Sequence, residues 1–183
     1  MGDEPYVAPK HTTTQDFQTH GISENDVPQS VKNIMMEDIV ESGHPNPDRA
    51  LKEYIESGKP VPVVQVANQN TKLYKLVKLG GDYDTPSPNT GYWIDQAQYD
   101  LVKAHPDRAN DILGLPEGSQ ANSFKVFVMQ PKAGEAPRVY QSSIATTTNA
   151  TGLTNVGNAT QTIVPNRKLW QEPVETNDII KVK

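Results

Sequence analysis

Gln161 is a neutral amide at the mouth of a strand-like run, and the small-residue step Gly157-Asn158-Ala159-Thr160 leads into it. Small residues let the backbone approach a ligand closely, and an amide offers both donors and an acceptor to a polar group. The step belongs to the stretch Arg138 to Trp170. There a strand-like run, Val139 to Ala145, meets a loop of Thr, Asn and Gly before a second run, Thr162 to Val164. This arrangement suits recognition of a polar small molecule better than it suits a packed core.

Other chemistries find less support. His11 and His20 fall in a polar lead-in, and His44 and His105 open helices. No two are spaced as metal ligands and no HExxH occurs, so no metal site is expected. A two-histidine ribonuclease mechanism has only His105 in the β-rich part of the chain. Ser142-Ser143 has no GxSxG context and no evident base. Neither Gly80-Gly81 nor Gly152 with Gly157 fits a phosphate-binding loop or a dinucleotide fingerprint. Asp82 and Asp84 flank Tyr83 in a turn-rich loop and read as solvated turn residues. Lys75 and Lys78 lie on a strand, where lysines ordinarily guard edges or snorkel; the functional alternative is a grip on a diphosphate. The chain has no cysteine, which excludes disulfides, thiolate nucleophiles and Cys-based zinc sites.

The elements that must position these residues follow from periodicity. Val27, Val31, Ile34, Met35 and Ile39 are spaced for a helix, with Ser30 as N-cap and Gly43 as stop. A second helix runs from Asp48 to Ser57 and buries Ala50, Leu51, Tyr54 and Ile55 before Gly58. Strands are expected at Pro62–Ala67, Leu73–Leu79 and Phe124–Gln130, with a last edge strand at Ile179–Val182. Asp95 caps a helix carrying Ala97, Leu101 and Val102, and His105-Pro106-Asp107 restarts a short one ending at Leu113-Gly114. The fold class is therefore α+β: an N-terminal helical segment, then a compact, largely antiparallel sheet unit with one helical excursion. The expected division is a flexible lead-in over 1–27, a helical linker segment over 28–60 and a catalytic unit over 61–183.

The 183 residues suffice for one domain with a modest core. Mean hydropathy is −0.63, and no apolar run approaches the roughly 20 residues of a membrane span. No basic-then-apolar segment opens the chain, so no signal peptide is expected. Residues 1–70 hold 5 basic and 11 acidic side chains, and residues 71–183 hold 12 and 11. The acidic front disfavours a general nucleic-acid binder, because phosphate contacts need a basic face.

Several of these pieces share an order with a known family. The strand Leu73-Tyr74-Lys75-Leu76-Val77 leads to Pro88-Asn89-Thr90-Gly91-Tyr92-Trp93, then Gly114-Leu115-Pro116. Phe124-Lys125-Val126-Phe127-Val128, Ser143-Ile144-Ala145 and Gly157-Asn158-Ala159-Thr160-Gln161 follow. Over roughly residues 71–175 this resembles the C-terminal domains of bacterial polymorphic and contact-dependent growth inhibition toxins. More narrowly, it resembles the necrotizing-toxin type of NAD glycohydrolase. In that family a Gly-rich step enters a strand at an active-site glutamine, which Gln161 matches. Thr146 stands where the family has a proline, and Leu113-Gly114 where it has an arginine.

The resemblance implies a hydrolase that takes NAD or NADP as substrate and needs no cofactor, or that uses the dinucleotide for ADP-ribosyl transfer. It implies Gln161 and Tyr92 as catalytic residues, with Gln161 orienting the ribose or the attacking water. Ser143 and Thr160 would add hydroxyls, Lys75 or Lys78 would hold the diphosphate, and Tyr92 or Trp93 would stack on a ring. It further implies a secreted or surface-delivered protein that acts in the target-cell cytoplasm and is neutralised by a cognate immunity protein. Two alternatives stay open. One is a toxin ribonuclease acting on tRNA or rRNA, with Lys75, Lys78, Arg138, Arg167 and Lys168 as its basic face. The other is a non-enzymatic binding or delivery module.

Overall fold

The computed structural model describes residues 6, 17–81, 84–115, 120–149 and 152–183. His11, Asp82, Tyr83 and Pro116, named above, lie outside the described residues. In chain order the strands are β1 (Phe17–Thr19), β2 (Gly58–Val66), β3 (Leu73–Lys78), β4 (Tyr92–Trp93), β5 (Ser123–Met129), β6 (Arg138–Ile144), β7 (Thr147–Asn149), β8 (Thr154–Asn155), β9 (Thr160–Ile163) and β10 (Val174–Lys181). The α-helices are α1 (Gln29–Glu41), α2 (Pro47–Glu56), α3 (Gln96–Ala104) and α4 (Ala109–Ile112). Among the described residues, three antiparallel sheets, ordered β1-β7-β8, β10-β5-β3 and β2-β6-β9-β4, make this the α+β fold that the periodicity predicts.

Local signals explain most boundaries. Asn46 accepts from Arg49 N with Pro47 at the first helical position, so α2 starts one residue before the expected Asp48. Asp95 caps α3 by accepting from Gln98 N, as its position suggests. Ser30 is not a cap: α1 begins at Gln29 after Pro28, and no side-chain cap is formed. β2 starts at Gly58, directly after α2, rather than at Pro62. Its two prolines are tolerated because, among the described residues, β2 is an edge strand paired only with β6. The described part of the lead-in, residues 17–27, makes contacts with the rest of the chain. β1 pairs with β7, Ile22 N donates to Gly58 O at 2.9 Å, and Val27 is buried.

Two larger sheets are joined by a bridge in which Tyr74 and Ile94 exchange backbone hydrogen bonds of 2.8 and 3.0 Å. Side chains alternate along a strand, and the register puts Tyr140 opposite Ile163, Ser142 opposite Gln161 and Tyr92 opposite Ile163. One face therefore carries Arg138, Tyr140, Ser142, Gln161, Ile163 and Tyr92. Helices α1 and α2 cover it, since Tyr140 and Ile163 share a cluster with Met35, Ile39, Leu51 and Ile55. Ile94 is two residues from Tyr92 and lies on the same face, where it packs with Tyr74, Tyr99, Val102, Ile112 and Phe124 under α3 and α4. The opposite face holds Trp93, Val139, Val164, Leu73, Met129 and Trp170.

The helical pair and the sheet thus share one apolar cluster. A charged pair ties them as well: Arg138 Nη2 donates to Asp38 Oδ1 at 2.7 Å and to Glu37 Oε1 at 3.0 Å, and the Tyr140 hydroxyl donates to Asp38 Oδ2. Burial and the bond to the Asp38 carboxylate both hold the Tyr140 hydroxyl protonated far above the usual tyrosine range.

Candidate functional site

Gln161 sits on the helix-covered face of β9, 5% exposed. Its Nε2 donates to Ser57 Oγ at 2.8 Å and to Ser142 Oγ at 3.2 Å. Ser57 lies just past the end of α2 and donates its own hydroxyl hydrogen to Tyr54 O at 2.8 Å. The Tyr92 hydroxyl bonds to Ser57 too, and its ring meets Tyr54 edge-on with centroids 5.7 Å apart. Burial pushes the Tyr92 hydroxyl well above the ordinary tyrosine range, so it stays protonated.

The backbone at this junction comes in as close as the chain allows. A β-carbon on Gly58 would fall on Ser142 Oγ, 2.6 Å from Ser143 O and 2.9 Å from Gln161 Nε2. Glycine is required here by space alone, because a real β-carbon does not approach heavy atoms so closely.

The sheet divides the remaining sequence-predicted residues. Gln161 and Tyr92 are brought together through Ser57. Ser143 and Thr160 face each other across β6 and β9, but alternation turns their side chains to the opposite face. Trp93 does not offer a ring for stacking: it is 1% exposed, its Nε1 donates to Thr90 O at 2.9 Å, and the Arg167 guanidinium lies 5.7 Å from its ring centre. Lys75 spends its ammonium on Tyr92 O at 2.8 Å, and burial pushes its pKa down to about 8. Lys78 ends β3, paired with Phe124 across the strands. Of the basic residues expected to meet RNA, Arg138 is engaged by Glu37 and Asp38 and Arg167 is buried.

Two residues before Gln161 and just ahead of β9, Ala159 lines an open cleft of about 310 Å³. Gln98, His105, Arg108, Asn158 and Gly157 contribute its polar wall and backbone, and Leu101, Ile112 and Val156 its apolar part. Gly157 has φ +75° and Asn158 φ +74°. Asn tolerates this left-handed conformation better than most residues. At Gly157 a side chain is excluded outright, because its β-carbon would lie 2.7 Å from Ile144 O.

Asp111 bolts this turn to the cationic wall. Its Oδ1 accepts from Val156 N at 2.9 Å, its backbone O accepts from Gly157 N at 2.9 Å, and its Oδ2 accepts from Arg108 Nη2 at 3.3 Å. Gln98 Oε1 accepts from Thr160 N at 3.1 Å and fixes the start of β9. An imidazole, a guanidinium and two amides around an open cleft can grip an anionic, hydrogen-bonding ligand.

Sequence reasoning missed Ser57, Ser142 and Arg108. Ser57-Gly58 reads as a helix stop, and His105-Pro106-Asp107-Arg108-Ala109 as a helix start. The His-Pro-Asp-Arg-Ala step repeats the earlier His-Pro-Asn-Pro-Asp-Arg-Ala, and the return of the chain at 156–159 gives this second copy a cleft.

Among the described residues no group of three His, Cys, Asp or Glu could hold a metal ion, and no helix is long and apolar enough to cross a membrane. No family model matches the chain, and no curated protein matches it. Among solved structures the chain is similar to Rhs1-CT in complex with its cognate immunity protein RhsI1. That match has 18% identity, covers 69% of this chain and 86% of that one, and has a TM-score of 0.45.

Proposed function

We propose that this chain is the toxic domain of a bacterial polymorphic toxin and that it cleaves NAD or NADP at the nicotinamide–ribose bond. One observation carries the reading. The small-residue step on which the resemblance to NAD-cleaving toxins rests, Gly157-Asn158-Ala159, lines an open cleft together with Arg108 and His105, with Gln161 two residues further along the chain. Arg108 supplies in space the guanidinium that Leu113-Gly114 lacks in sequence.

The chemistry asks mostly for positioning. The bond between ribose C1′ and the nicotinamide nitrogen breaks with its electron pair moving to a nitrogen that is already cationic, so the leaving group departs as neutral nicotinamide. Water then adds to C1′ and releases a proton. Holding both ends of the dinucleotide and orienting the ribose can supply several kcal/mol of the barrier without a nucleophile, about 7 or more in well-oriented systems. In this reading Arg108 holds the diphosphate, where a bidentate guanidinium is favoured over a point charge. The Gln161 carbonyl orients a ribose hydroxyl or the water, and Tyr92 supports Gln161 through Ser57. Transfer of the ADP-ribosyl group to another acceptor would use the same first step. The toxin reading also carries delivery as part of a larger protein, action in the target-cell cytoplasm and a cognate immunity protein.

A ribonuclease has one observation in its favour, the imidazole of His105 beside Arg108 in an open cleft. Incubating the purified protein with NAD, NADP and total RNA separates the readings. Released nicotinamide with intact RNA is expected. Cleaved RNA with intact dinucleotide overturns the proposal in favour of the ribonuclease, and intact pools of both favour a non-enzymatic module.

A further inference from the structure

Gln161 could present either end of its amide, and the hydrogen bonds around Ser57 decide which. The Ser57 hydroxyl has one hydrogen, and it is committed to Tyr54 O at 2.8 Å. What remains on Ser57 Oγ are lone pairs, so its partner at 2.8 Å in Gln161 must be the NH₂ end. Ser142 Oγ takes the other amide hydrogen at 3.2 Å. Both amide hydrogens are then consumed inside the protein, and among the described residues the carbonyl oxygen Oε1 receives no hydrogen bond. Nor is it sealed: the buried side-chain atoms left without a partner are Asn155 Nδ2, Arg167 Nε and Trp170 Nε1.

We infer that Ser57 is a positioning residue that locks the Gln161 amide with its carbonyl oxygen outward, making Gln161 a hydrogen-bond acceptor for a substrate hydroxyl or the attacking water. The inference rests on the NAD(P)-cleaving reading for the identity of that hydroxyl, and on the geometry alone for the orientation. It also gives the helical segment a part in the site, because Ser57 follows α2 and not the sheet. Gly58 is what permits the lock, since any side chain there would displace Ser142, Ser143 and Gln161 together.

The test uses the whole chain. Side-chain amide exchange of Gln161 is followed by NMR, beside nicotinamide-release kinetics, in wild type, Ser57→Ala and Ser57→Thr. Both Gln161 amide hydrogens are expected to be protected in wild type, to lose protection in Ser57→Ala and to regain it in Ser57→Thr. In step with this, kcat should fall 10- to 100-fold in Ser57→Ala at an unchanged KM, and return in Ser57→Thr. Free exchange in wild type overturns the orientation, and an unchanged kcat in a Ser57→Ala protein that has lost protection overturns its role. A wild type that protects the amide but releases no nicotinamide leaves the orientation standing and overturns the substrate assignment instead.

Discussion

Ala159, just ahead of β9, and Gln161 within it lie two residues apart and are equally buried, yet they belong to different surroundings. Around Gln161 the end of α2 closes over the sheet, and the polar groups of Ser57, Ser142, Tyr54 and Tyr92 satisfy one another. Around Ala159, which is equally buried, α3 and α4 pack beside the chain, and Arg108, His105 and Asn158 border an open cleft. Polar residues in the first region pre-organise; those in the second are available to a ligand. A buried amide that is fully used on its donor side costs little, whereas one left unsatisfied costs about 1–3 kcal/mol. The closed region thus holds the Gln161 amide by its donor side, and the open one is a contact surface.

The comparison is open to a sequence of mutations. The largest effect is expected from Gly58→Val, which drives two branches into Ser142, Ser143 and Gln161; overpacking of this kind costs about 3 kcal/mol or more, read as a lower denaturant midpoint. If this variant matches wild type, the junction is not close-packed and the contrast fails.

Arg108→Ala should do the reverse. It should cut kcat/KM for NAD(P) by about 100-fold while moving stability by no more than about 0.5 kcal/mol, since its ion pair with Asp111 is exposed. Equal losses of stability in both variants would erase the distinction between support and surface.

The smallest expected effect concerns the opposite face. Lys75 has a folded pKa of about 8, below the ordinary lysine value of about 10.4. Between these two values the unfolded chain holds the proton and the folded one does not, so wild-type stability should rise with pH across that window. Lys75→Met has no such slope. Its stability relative to wild type should be greatest near pH 7, by about 1 kcal/mol, and should shrink as pH climbs past 8. A constant difference from pH 7 to 10 would show that Lys75 is not buried against Tyr92.

The strands and helices were largely legible because their signals are local. The spacing of Met35 and Ile39, the cap at Asp95 and the alternation of Phe124, Val126 and Val128 each depend on neighbours a few residues away. β1 was not legible, because residues 17–19 become a strand only by pairing with 147–149, 128 or more positions later. The candidate site was half legible. Gln161 stood out by its small-residue approach, but the side of the sheet taken by Ser143 and Thr160 follows from register, which sequence leaves open.

Composition and spacing by themselves determined the α+β class, the absence of thiol chemistry and the Gly157–Gln161 step as the place to look. The tertiary structure alone decided that Ser57 meets Gln161 across about a hundred residues of chain and that Arg108 and Asn158 line one cleft. It also decided that Trp93 and Lys75 serve the interior. The physical reason is that a hydrogen bond's partner and a charge's burial are properties of where distant segments meet, whereas helix and strand periods are properties of the segment itself.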